Sequence, residues 1–265
     1  MKREKILFNI ENLSDIDKYK KIGINNFLFA LDEFSIGYKS FKLEELENLE
    51  CNRYLLINRV FNNEDCDKFR NIINKLELFD GIIFEDIGVY NILKDSNIKL
   101  IWNQNHFATN YKSINYYLDM MYSAVISNEL TKEEVKDIID RVTKPIVLNV
   151  FGKNTIMYSR RTLLSNYNKY FNIDSDREVI LEESITNNSF YAKESDKGTI
   201  IFNNKYFNII NYLNKFNDNN ILFYLIYPNG LDYENVLKLL NNESNIEYDD
   251  GFMNRKTVYK LGEKK

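Results

Sequence analysis

The segment AVISNELTKEEVKDIIDRVTKPIVLNVF, residues 124–151, predicts a strand, a helix and a second strand in succession. Ala124–Leu130 and Pro145–Phe151 are short apolar runs, which are typical of strands buried on both faces. The amphipathic stretch Thr131–Val142 lies between them, and Thr131 and Glu134 have the spacing of a capping box at a helix start. Because two strands joined through a helix run parallel in one sheet, this unit predicts an α/β fold.

The same alternation of apolar runs and amphipathic segments continues on the amino-terminal side of this unit. The predicted strands there are Lys5–Ile10, Asn26–Leu31, Tyr54–Val60, Gly81–Asp86 and Ile98–Gln104. The predicted helices there are Ser14–Ile22, with Ser14 as its N-cap, Lys42–Leu49, Asn63–Leu78, Tyr90–Lys94 and Ser113–Met121. Seven strand–helix units in about 150 residues, without long gaps, indicate a parallel sheet.

An eighth apolar run occurs much later in the chain, at Ile221–Tyr227. It is followed by a Pro-Asn-Gly turn and by a predicted helix at Tyr233–Leu240. Eight strands favour a TIM-like (β/α)8 barrel. A doubly wound open sheet is the alternative, because periodicity does not distinguish a closed sheet from an open one.

Between the seventh and eighth strands the pattern changes to that of a small antiparallel sheet. Its predicted strands are Arg177–Glu182, Asn188–Lys193 and Thr199–Asn203, with Asp196-Lys197-Gly198 as a turn. A helix is predicted at Tyr206–Phe216, and Asp249–Leu261 predicts a turn and a short C-terminal strand. We therefore expect a single barrel domain over residues 1–265, with a β-meander inserted at about 177–204.

The composition is that of an acidic globular protein. Hydrophobic residues make up 44% of the 265 residues, which is enough for a substantial core and argues against wholesale disorder. The formal charge of −4 argues against a protein that coats nucleic acid non-specifically, but it is compatible with a local basic patch. Cys51 and Cys66 are too few for a disulfide scaffold. With no run near the ~20 apolar residues of a membrane span, we expect a cytoplasmic protein without a membrane segment.

In a (β/α)8 barrel the functional site lies at the carboxyl ends of the strands. The residues at the predicted ends are Glu11, Asp32, Glu33, Arg59, Glu85, Asp86, Asn103, Gln104, Asn128, Glu129, Gly152 and Lys153. Glu129 is the first candidate catalytic residue, because it stands between an apolar strand and a helix. The preference of helix N-termini for acidic residues is the alternative explanation. Asp86 and the only histidine, His106, are the other candidate catalytic residues.

A basic segment, VFGKNTIMYSRRTLLSNY at residues 150–167, begins within the seventh strand. Polar loops held by a rigid strand often form a wall of a functional site, although a surface loop with two solvated arginines has the same pattern. Arg160 and Arg161 have the side chains that bind a carboxylate or phosphate in bidentate fashion. The candidate substrate-binding residues here are Lys153, Tyr158, Ser159, Arg160, Arg161 and Ser165.

Several common kinds of site are not predicted by the sequence. It has no glycine-rich phosphate loop of either common type. No cluster of cysteine and histidine has the spacing of a zinc or iron–sulfur site, so we expect no metal and no cofactor. The predicted positions of Cys51 and Cys66, away from the carboxyl ends of the strands, argue against a Cys–His dyad.

Five motifs resemble a known family. They are FEDIGVYNIL (84–93), TNY (109–111), ISNELTKEEVKDI (126–138), GKNTIMYSRRTLLSNY (152–167) and GFMNRKTVYKL (251–261). In this order they are similar to the collagenase-like peptidase family U-32, and they extend over most of the chain. The resemblance implies a TIM-like barrel in a bacterial protein with a nominal peptidase activity. It also adds Asn110, in the TNY motif, to the candidate substrate-binding residues.

The resemblance has further implications for the chemistry. Better-understood branches of the family act in the hydroxylation of RNA or of ubiquinone precursors. Many relatives hold an iron–sulfur cluster, with a first cysteine where this chain has Thr162, and many have a histidine where it has Phe151. The similarity is therefore to a short, cysteine-poor branch, and cluster-dependent hydroxylation by this chain alone is not expected.

Three functions remain open from the sequence. The first is a U-32 peptidase acting on peptides at the carboxyl end of the barrel. The second is an accessory protein that binds RNA or a cluster-bearing paralogue through the basic segment. The third is a barrel that binds a small anionic metabolite through Arg160 and Arg161.

Overall fold

The computed structural model of the protein describes residues 1–104, 106–174, 176–185 and 188–255. The strands in these residues are β1 (Ile6–Asn9), β2 (Asn26–Leu31), β3 (Ser40–Phe41), β4 (Asn52–Ile57), β5 (Gly81–Phe84), β6 (Leu100–Asn103), β7 (Ser123–Val125), β8 (Ile146–Gly152), β9 (Thr155–Ser159), β10 (Glu178–Glu182), β11 (Ser189–Ser195), β12 (Gly198–Asn203), β13 (Tyr206–Asn208), β14 (Ile221–Ile226) and β15 (Tyr248–Asp249). The α-helices are α1 (Ile16–Lys21), α2 (Leu43–Leu46), α3 (Asn63–Arg70), α4 (Ile73–Leu76), α5 (Ile87–Leu93), α6 (Tyr111–Met120), α7 (Lys132–Arg141), α8 (Leu163–Phe171) and α9 (Tyr233–Leu240).

Eight parallel strands close into a barrel in the order β1-β2-β4-β5-β6-β7-β8-β14. The closure is made by β14, which pairs with β8 on one side and with β1 on the other, where Ile226 lies opposite Phe8. The predicted TIM-like barrel is therefore confirmed, and the open doubly wound sheet is wrong. The predicted capping box is also present, since Thr131 and Glu134 satisfy each other's backbone N–H groups at the start of α7.

Alternate residues of each barrel strand face the interior, which gives the barrel distinct layers. One apolar layer inside the barrel contains Leu7, Leu28, Leu56, Ile83, Ile101, Val147 and Leu225. Two residues further along five of these strands, the inward positions are polar: Asn9, Asn58, Glu85, Asn103 and Asn149. The apolar interior thus ends in a polar layer at the carboxyl ends of the strands.

The insertion between β8 and β14 forms a four-stranded antiparallel sheet in the order β10-β11-β12-β9. The predicted meander is present, and the hairpin between β11 and β12 turns tightly where Ser195 pairs with Gly198. Gly198 has φ +125° and a Cβ there would lie 2.2 Å from the Ser159 carbonyl oxygen, so only glycine fits. The edge strand β9 was not predicted, because its sequence, TIMYS, was interpreted as part of a polar loop.

The insertion packs on the barrel through a small apolar cluster. Phe202 and Ile200 of β12 contact Ile36 in the loop after β2, and all three are buried. Lys197 in the hairpin turn also forms an ion pair of 2.7 Å with Asp32 at the end of β2. These contacts hold the insertion over the carboxyl ends of the barrel strands.

One predicted α-helix is absent, and two others are present but differ in detail. Tyr206–Phe216 forms the short strand β13, antiparallel to β8, and then a 3-10 helix at Ile210–Lys215. Asn63–Leu78 is broken into α3 and α4. Ser14 lies inside a 3-10 turn at Leu13–Asp15, which Asn12 caps by accepting from the Ser14 N–H.

Two element boundaries differ from those predicted. The strand predicted at Ala124–Leu130 is only β7, Ser123–Val125, so Glu129 lies in the loop between β7 and α7. The C-terminal strand is the two-residue β15, which pairs with β13, and residues 256–261 lie outside the described residues. No helix among the described residues is long and apolar enough to cross a membrane.

Candidate functional site at the barrel mouth

A pocket of about 390 Å³ opens at the carboxyl ends of the barrel strands. Its floor is formed by Leu56, Val125 and Leu225, which belong to the apolar layer inside the barrel. Its outer wall is strand β9 of the insertion, which contributes Thr155–Tyr158. The inserted sheet is therefore part of the pocket.

Glu85 lies in this pocket, at the inward position that follows β5. The Asn103 Nδ2 donates a hydrogen bond of 3.3 Å to one carboxyl oxygen of Glu85. Burial raises the pKa of Glu85 to about 8, because the surrounding protein disfavours the charged form. At neutral pH the side chain is mainly a neutral carboxylic acid, which has a proton to donate.

Asn149 supplies an unused acceptor in the same pocket. Its side chain is only 8% exposed, and its Oδ1 has no hydrogen-bond partner among the described residues. Asn58, in the same polar layer, differs because its amide pairs with both the N–H and the C=O of Ile36. A buried acceptor without a partner is costly, so a bound molecule with an N–H or O–H group would stabilise Asn149.

Two tyrosines line another side of the pocket. The rings of Tyr38 and Tyr227 are stacked, with centroids 4.8 Å apart and an interplanar angle of 27°. Burial raises the pKa of both phenols well above the usual value, so both are neutral at physiological pH. The side chain of Thr155, on β9, lies near the Tyr38 hydroxyl and opposes part of the rise in its pKa.

Lys153, a predicted substrate-binding residue, lines the pocket but its amine is held by the insertion. The Nζ donates to the Asn204 Oδ1 at 3.1 Å and lies 5.1 Å and 5.4 Å from the ring centroids of Tyr191 and Tyr206. Burial lowers the pKa of this amine. Tyr158 also lines the pocket, and its hydroxyl donates to the Lys197 carbonyl at 3.1 Å.

The structure brings two of the predicted catalytic residues together at the rim. The His106 Nδ1 lies 3.7 Å from the Glu129 Oε1, and both side chains are largely exposed. Asp86 lies elsewhere, where its carboxylate accepts from the Gly88 N–H at 2.7 Å and from the Phe61 N–H at 2.8 Å. Asp86 thus caps α5, and the catalytic roles of all three residues stay predictions.

The remaining predicted binding residues lie away from the pocket. Asn110 caps α6 by accepting from the Ser113 N–H at 3.0 Å. Arg160 and Arg161 are exposed on the turn between β9 and α8, next to the partly buried Ser159. Ser165 belongs to the first turn of α8. The structure therefore divides the basic segment into a pocket wall, up to Tyr158, and an outer surface.

Buried Glu194 anchors this outer surface. Its carboxylate accepts from the N–H groups of Leu164 and Ser165, from the Ser165 hydroxyl and from the Thr199 hydroxyl. Burial alone would raise the pKa of Glu194, but the hydrogen bonds, led by those from Ser165, lower it overall. The charged carboxylate therefore holds the N-terminus of α8 on the inserted sheet.

The residues of this chain do not fit an iron–sulfur cluster. Thr162 stands at the start of α8, where the family resemblance implies a cysteine. Cys51 directly precedes β4, at the amino end of the barrel, and Cys66 lies in α3. The described residues contain no group of three or more histidine, cysteine, aspartate or glutamate side chains that could hold a metal ion.

Sequence reasoning placed Glu85 at the mouth of the barrel but selected its neighbour Asp86, and it missed Asn149 and the two stacked tyrosines. The signal for Glu85 and Asn149 was in the sequence. Each follows an inward apolar residue, Ile83 or Val147, by two positions, and side chains of a strand alternate between its faces.

Comparisons with known proteins find one curated relative and several solved structures with low similarity. A curated protein named tRNA hydroxylation protein P2, from Bacillus subtilis (strain 168), is 24% identical over 160 residues, covering 56% of this chain and 52% of the relative. The chain thus matches about half the length of that protein. The Bacillus cereus spore cortex-lytic enzyme SleL matches with a TM-score of 0.44 and 11% identity, over 91% of this chain and 74% of the enzyme.

A second solved structure is the C-terminal domain of a putative chitinase from Desulfitobacterium hafniense DCB-2. It matches with a TM-score of 0.40 and 10% identity, over 90% of this chain and 99% of that domain. The sequence profile of Peptidase family U32 matches residues 23–227, which include seven of the eight barrel strands and the insertion. The chain therefore belongs to Peptidase family U32.

Proposed function

We propose that this chain is an RNA-binding protein that takes part in tRNA modification. The observation that carries the proposal is the charge of residues 153–173, which include Lys153, Arg160, Arg161 and Lys169 but no aspartate or glutamate. The whole chain, in contrast, has a formal charge of −4. A basic surface on an acidic protein supports a specific anionic partner.

The cations of this surface are available for a partner. Arg160, Arg161 and Lys169 are exposed, and none of them forms an ion pair within the described ranges. Arginine side chains suit phosphate because their planar guanidinium groups donate two parallel hydrogen bonds. Such contacts give affinity for a nucleic-acid backbone without reading its sequence.

Exposed aromatic rings accompany the cations. Tyr167, Tyr170 and Phe171 of α8 are 56%, 80% and 54% exposed. The Phe171 ring lies 4.6 Å from that of Tyr167 and 4.8 Å from that of Tyr170. Single-stranded nucleic acids bind to surfaces of this kind, on which bases stack between backbone contacts. We name residues 160–171 the α8 surface.

The α8 surface is continuous with the pocket. Strand β9 lines the pocket with Ile156, Met157 and Tyr158, and the chain reaches Arg160 two residues later. An RNA strand on the α8 surface would therefore lie beside the barrel mouth. The name of the Bacillus subtilis relative supports tRNA as the RNA.

The nominal peptidase activity has less support from the pocket. Thr155 carries the aliphatic hydroxyl of the pocket lining, and among the described residues no hydrogen bond joins this hydroxyl to a histidine or carboxylate base. The rim pair of His106 and Glu129 is a possible base, but the pocket lining contains no serine or cysteine, among the residues described, to serve as its nucleophile.

The first test is tRNA binding by the charge-reversal variant Arg160→Glu/Arg161→Glu. Loss of two phosphate contacts should weaken binding about tenfold or more. It should also reduce the slope of log affinity against log salt concentration by about two. Fluorescence anisotropy with labelled tRNA at several salt concentrations measures both. In cells lacking the gene, the variant should also fail to restore hydroxylated tRNA nucleosides, measured by mass spectrometry.

The matched control is Lys21→Glu/Lys94→Glu, which reverses two exposed lysines at the other end of the barrel. This control should bind tRNA as the wild type does. Equal affinity of all three proteins, or no binding of tRNA by the wild type, would contradict the proposal.

A second candidate function is that of a partner for a cluster-bearing paralogue. It is supported by Thr162 in place of the expected cysteine and by the absence, in the described part of the chain, of a group that could hold a metal. Recovery of such a paralogue with the tagged protein after RNA digestion, with no affinity for tRNA alone, would favour this second function.

A further inference from the structure

We propose that the inner end of the barrel-mouth pocket, where Glu85 and Asn149 lie, binds one uncharged nucleobase through hydrogen bonds to the Glu85 carboxyl and to the Asn149 Oδ1. This inference rests on the proposed function, because it names the part of the RNA that enters the pocket. The proposal concerns binding and no reaction: these contacts would hold a base that has been unstacked from its neighbours in the RNA.

The inner end of the pocket has hydrogen-bonding groups that the described part of the protein itself does not use. Asn58 is fully used by the backbone of Ile36, and Asn103 donates to one oxygen of Glu85. The acid proton of Glu85 and the buried Asn149 Oδ1, which has no partner among the described residues, are available to a ligand at this end. A ligand that presents an acceptor to Glu85 and a donor to the Asn149 Oδ1 would satisfy both groups.

The charges around the pocket favour an uncharged ligand over an anionic one. Three cations of the barrel mouth and the insertion have partners: Lys153 donates to Asn204, Lys197 pairs with Asp32, and Arg59 lies 3.4 Å from Asp65. The other titratable groups that line the pocket are Tyr38, Tyr158, Tyr227 and, at the rim, His106. An anionic ligand at the inner end would lose its hydration, and Lys153, the lysine of the pocket lining, already donates to Asn204, so this transfer is unfavourable. An uncharged ligand avoids this cost.

The size and the walls of the pocket suit a flat molecule. A pocket of about 390 Å³ is at the small end of the usual range for small-molecule sites, and it has an apolar floor with aromatic side chains on one wall. Nucleobases are flat and uncharged, and each presents donors and acceptors on one edge. Proteins that act on a base hold the extruded base by such edge contacts and by packing against aromatic rings.

The test measures binding of the four ribonucleosides by ligand-observed NMR at pH 7. At least one nucleoside should bind the wild type, and Asn149→Leu and Glu85→Ala should each weaken it about tenfold, the usual effect of losing one buried hydrogen bond. Glu85→Gln keeps an N–H donor at this position and should bind within about threefold of the wild type. Benzoate, a flat anion, should bind none of these proteins.

The pH dependence gives a second, independent readout. Wild-type affinity should fall as the pH rises through about 8, because Glu85 then loses its proton, whereas Glu85→Gln should bind equally well on both sides of that pH. Glu77→Gln and Asn74→Leu make the same chemical changes at exposed positions on the other end of the barrel. Both controls should bind nucleosides as the wild type does.

The outcomes separate this inference from the proposed function. No nucleoside binding up to about 10 mM, a Kd weaker than any useful recognition, would overturn the inference even if tRNA binds to the α8 surface. Stronger binding of benzoate than of any nucleoside would also overturn it. Nucleoside binding without any affinity for tRNA would instead contradict the proposed function. Circular dichroism of each variant excludes misfolding as the cause of a loss.

Discussion

At the scale of single residues, the neutral state of Glu85 links the pocket to the stability of the protein. Its pKa is raised by burial from the ordinary 4.5 to about 8 in the folded chain. The unfolded chain therefore releases this proton at a lower pH than the folded chain does. The stabilising contribution of the bound proton is complete below pH 4.5 and is lost as the pH rises through 8.

We expect Glu85→Gln to be more stable than the wild type at neutral pH. The amide has no proton to lose on unfolding, so the advantage should be near zero at pH 4.5 and about 3 kcal/mol at pH 7, at 1.36 kcal/mol for each pH unit. Urea unfolding of both proteins at several pH values measures it. Exposed Glu77→Gln should show no such trend, and an advantage that does not grow with pH would contradict a raised pKa at Glu85.

At the scale of elements, α8 depends on one buried carboxylate. All described residues of α8 are partly or fully exposed, so the helix has little apolar burial to hold it in place. Glu194 compensates by accepting hydrogen bonds from Leu164, Ser165 and Thr199. The α8 surface is therefore positioned mainly by charge-assisted hydrogen bonds.

We expect Glu194→Gln to loosen α8 while leaving the barrel intact. The amide offers one acceptor oxygen and turns an NH2 group toward donors, which should cost about 1–3 kcal/mol. Hydrogen exchange measured by mass spectrometry should show faster exchange in Leu163–Phe171 and no change in the barrel strands. Glu182→Gln, at an exposed position of the same sheet, should leave exchange unchanged both in α8 and in the barrel strands. If exchange in α8 were the same in Glu194→Gln as in the wild type, Glu194 would not anchor the helix.

The elements also show what sequence reasoning could reach. The barrel strands were predictable because they are buried on both faces and therefore apolar without interruption. The strand β9 was not, since it has water on one side and the pocket on the other, and its residues include a threonine, a tyrosine and a serine. The helix predicted at Tyr206–Phe216 was wrong for a related reason. The spacing of its apolar residues fits a helix, but the pairing of β13 with β8 determines the conformation of its first residues.

At the scale of the whole molecule, the pocket exists because two sheets meet. Its floor belongs to the barrel and its outer wall to the insertion, whose main apolar contact is the cluster of Ile36, Ile200 and Phe202. Since this cluster joins the two sheets directly, we propose that barrel and insertion form a single cooperative domain. Its integrity would then determine whether the pocket keeps its shape.

Trp102 makes this proposal testable, because it is the only tryptophan of the chain and it lies on β6 of the barrel. In the wild type, urea unfolding followed by Trp102 fluorescence and by far-ultraviolet circular dichroism should give coincident curves. Phe202→Ala removes a side chain that is 1% exposed, which should cost about 3–5 kcal/mol and let the insertion unfold first. The dichroism curve of this variant should then precede the fluorescence curve, and nucleoside binding should weaken with it.

Phe171→Ala is the matched control, because it makes the same change at a side chain that is 54% exposed. Its two unfolding curves should remain coincident with each other and close to those of the wild type. Separate curves in the wild type itself would mean that the insertion is an independent domain. In that case the outer wall of the pocket would be mobile relative to Glu85 and Asn149, and base recognition would require the two sheets to close on the ligand.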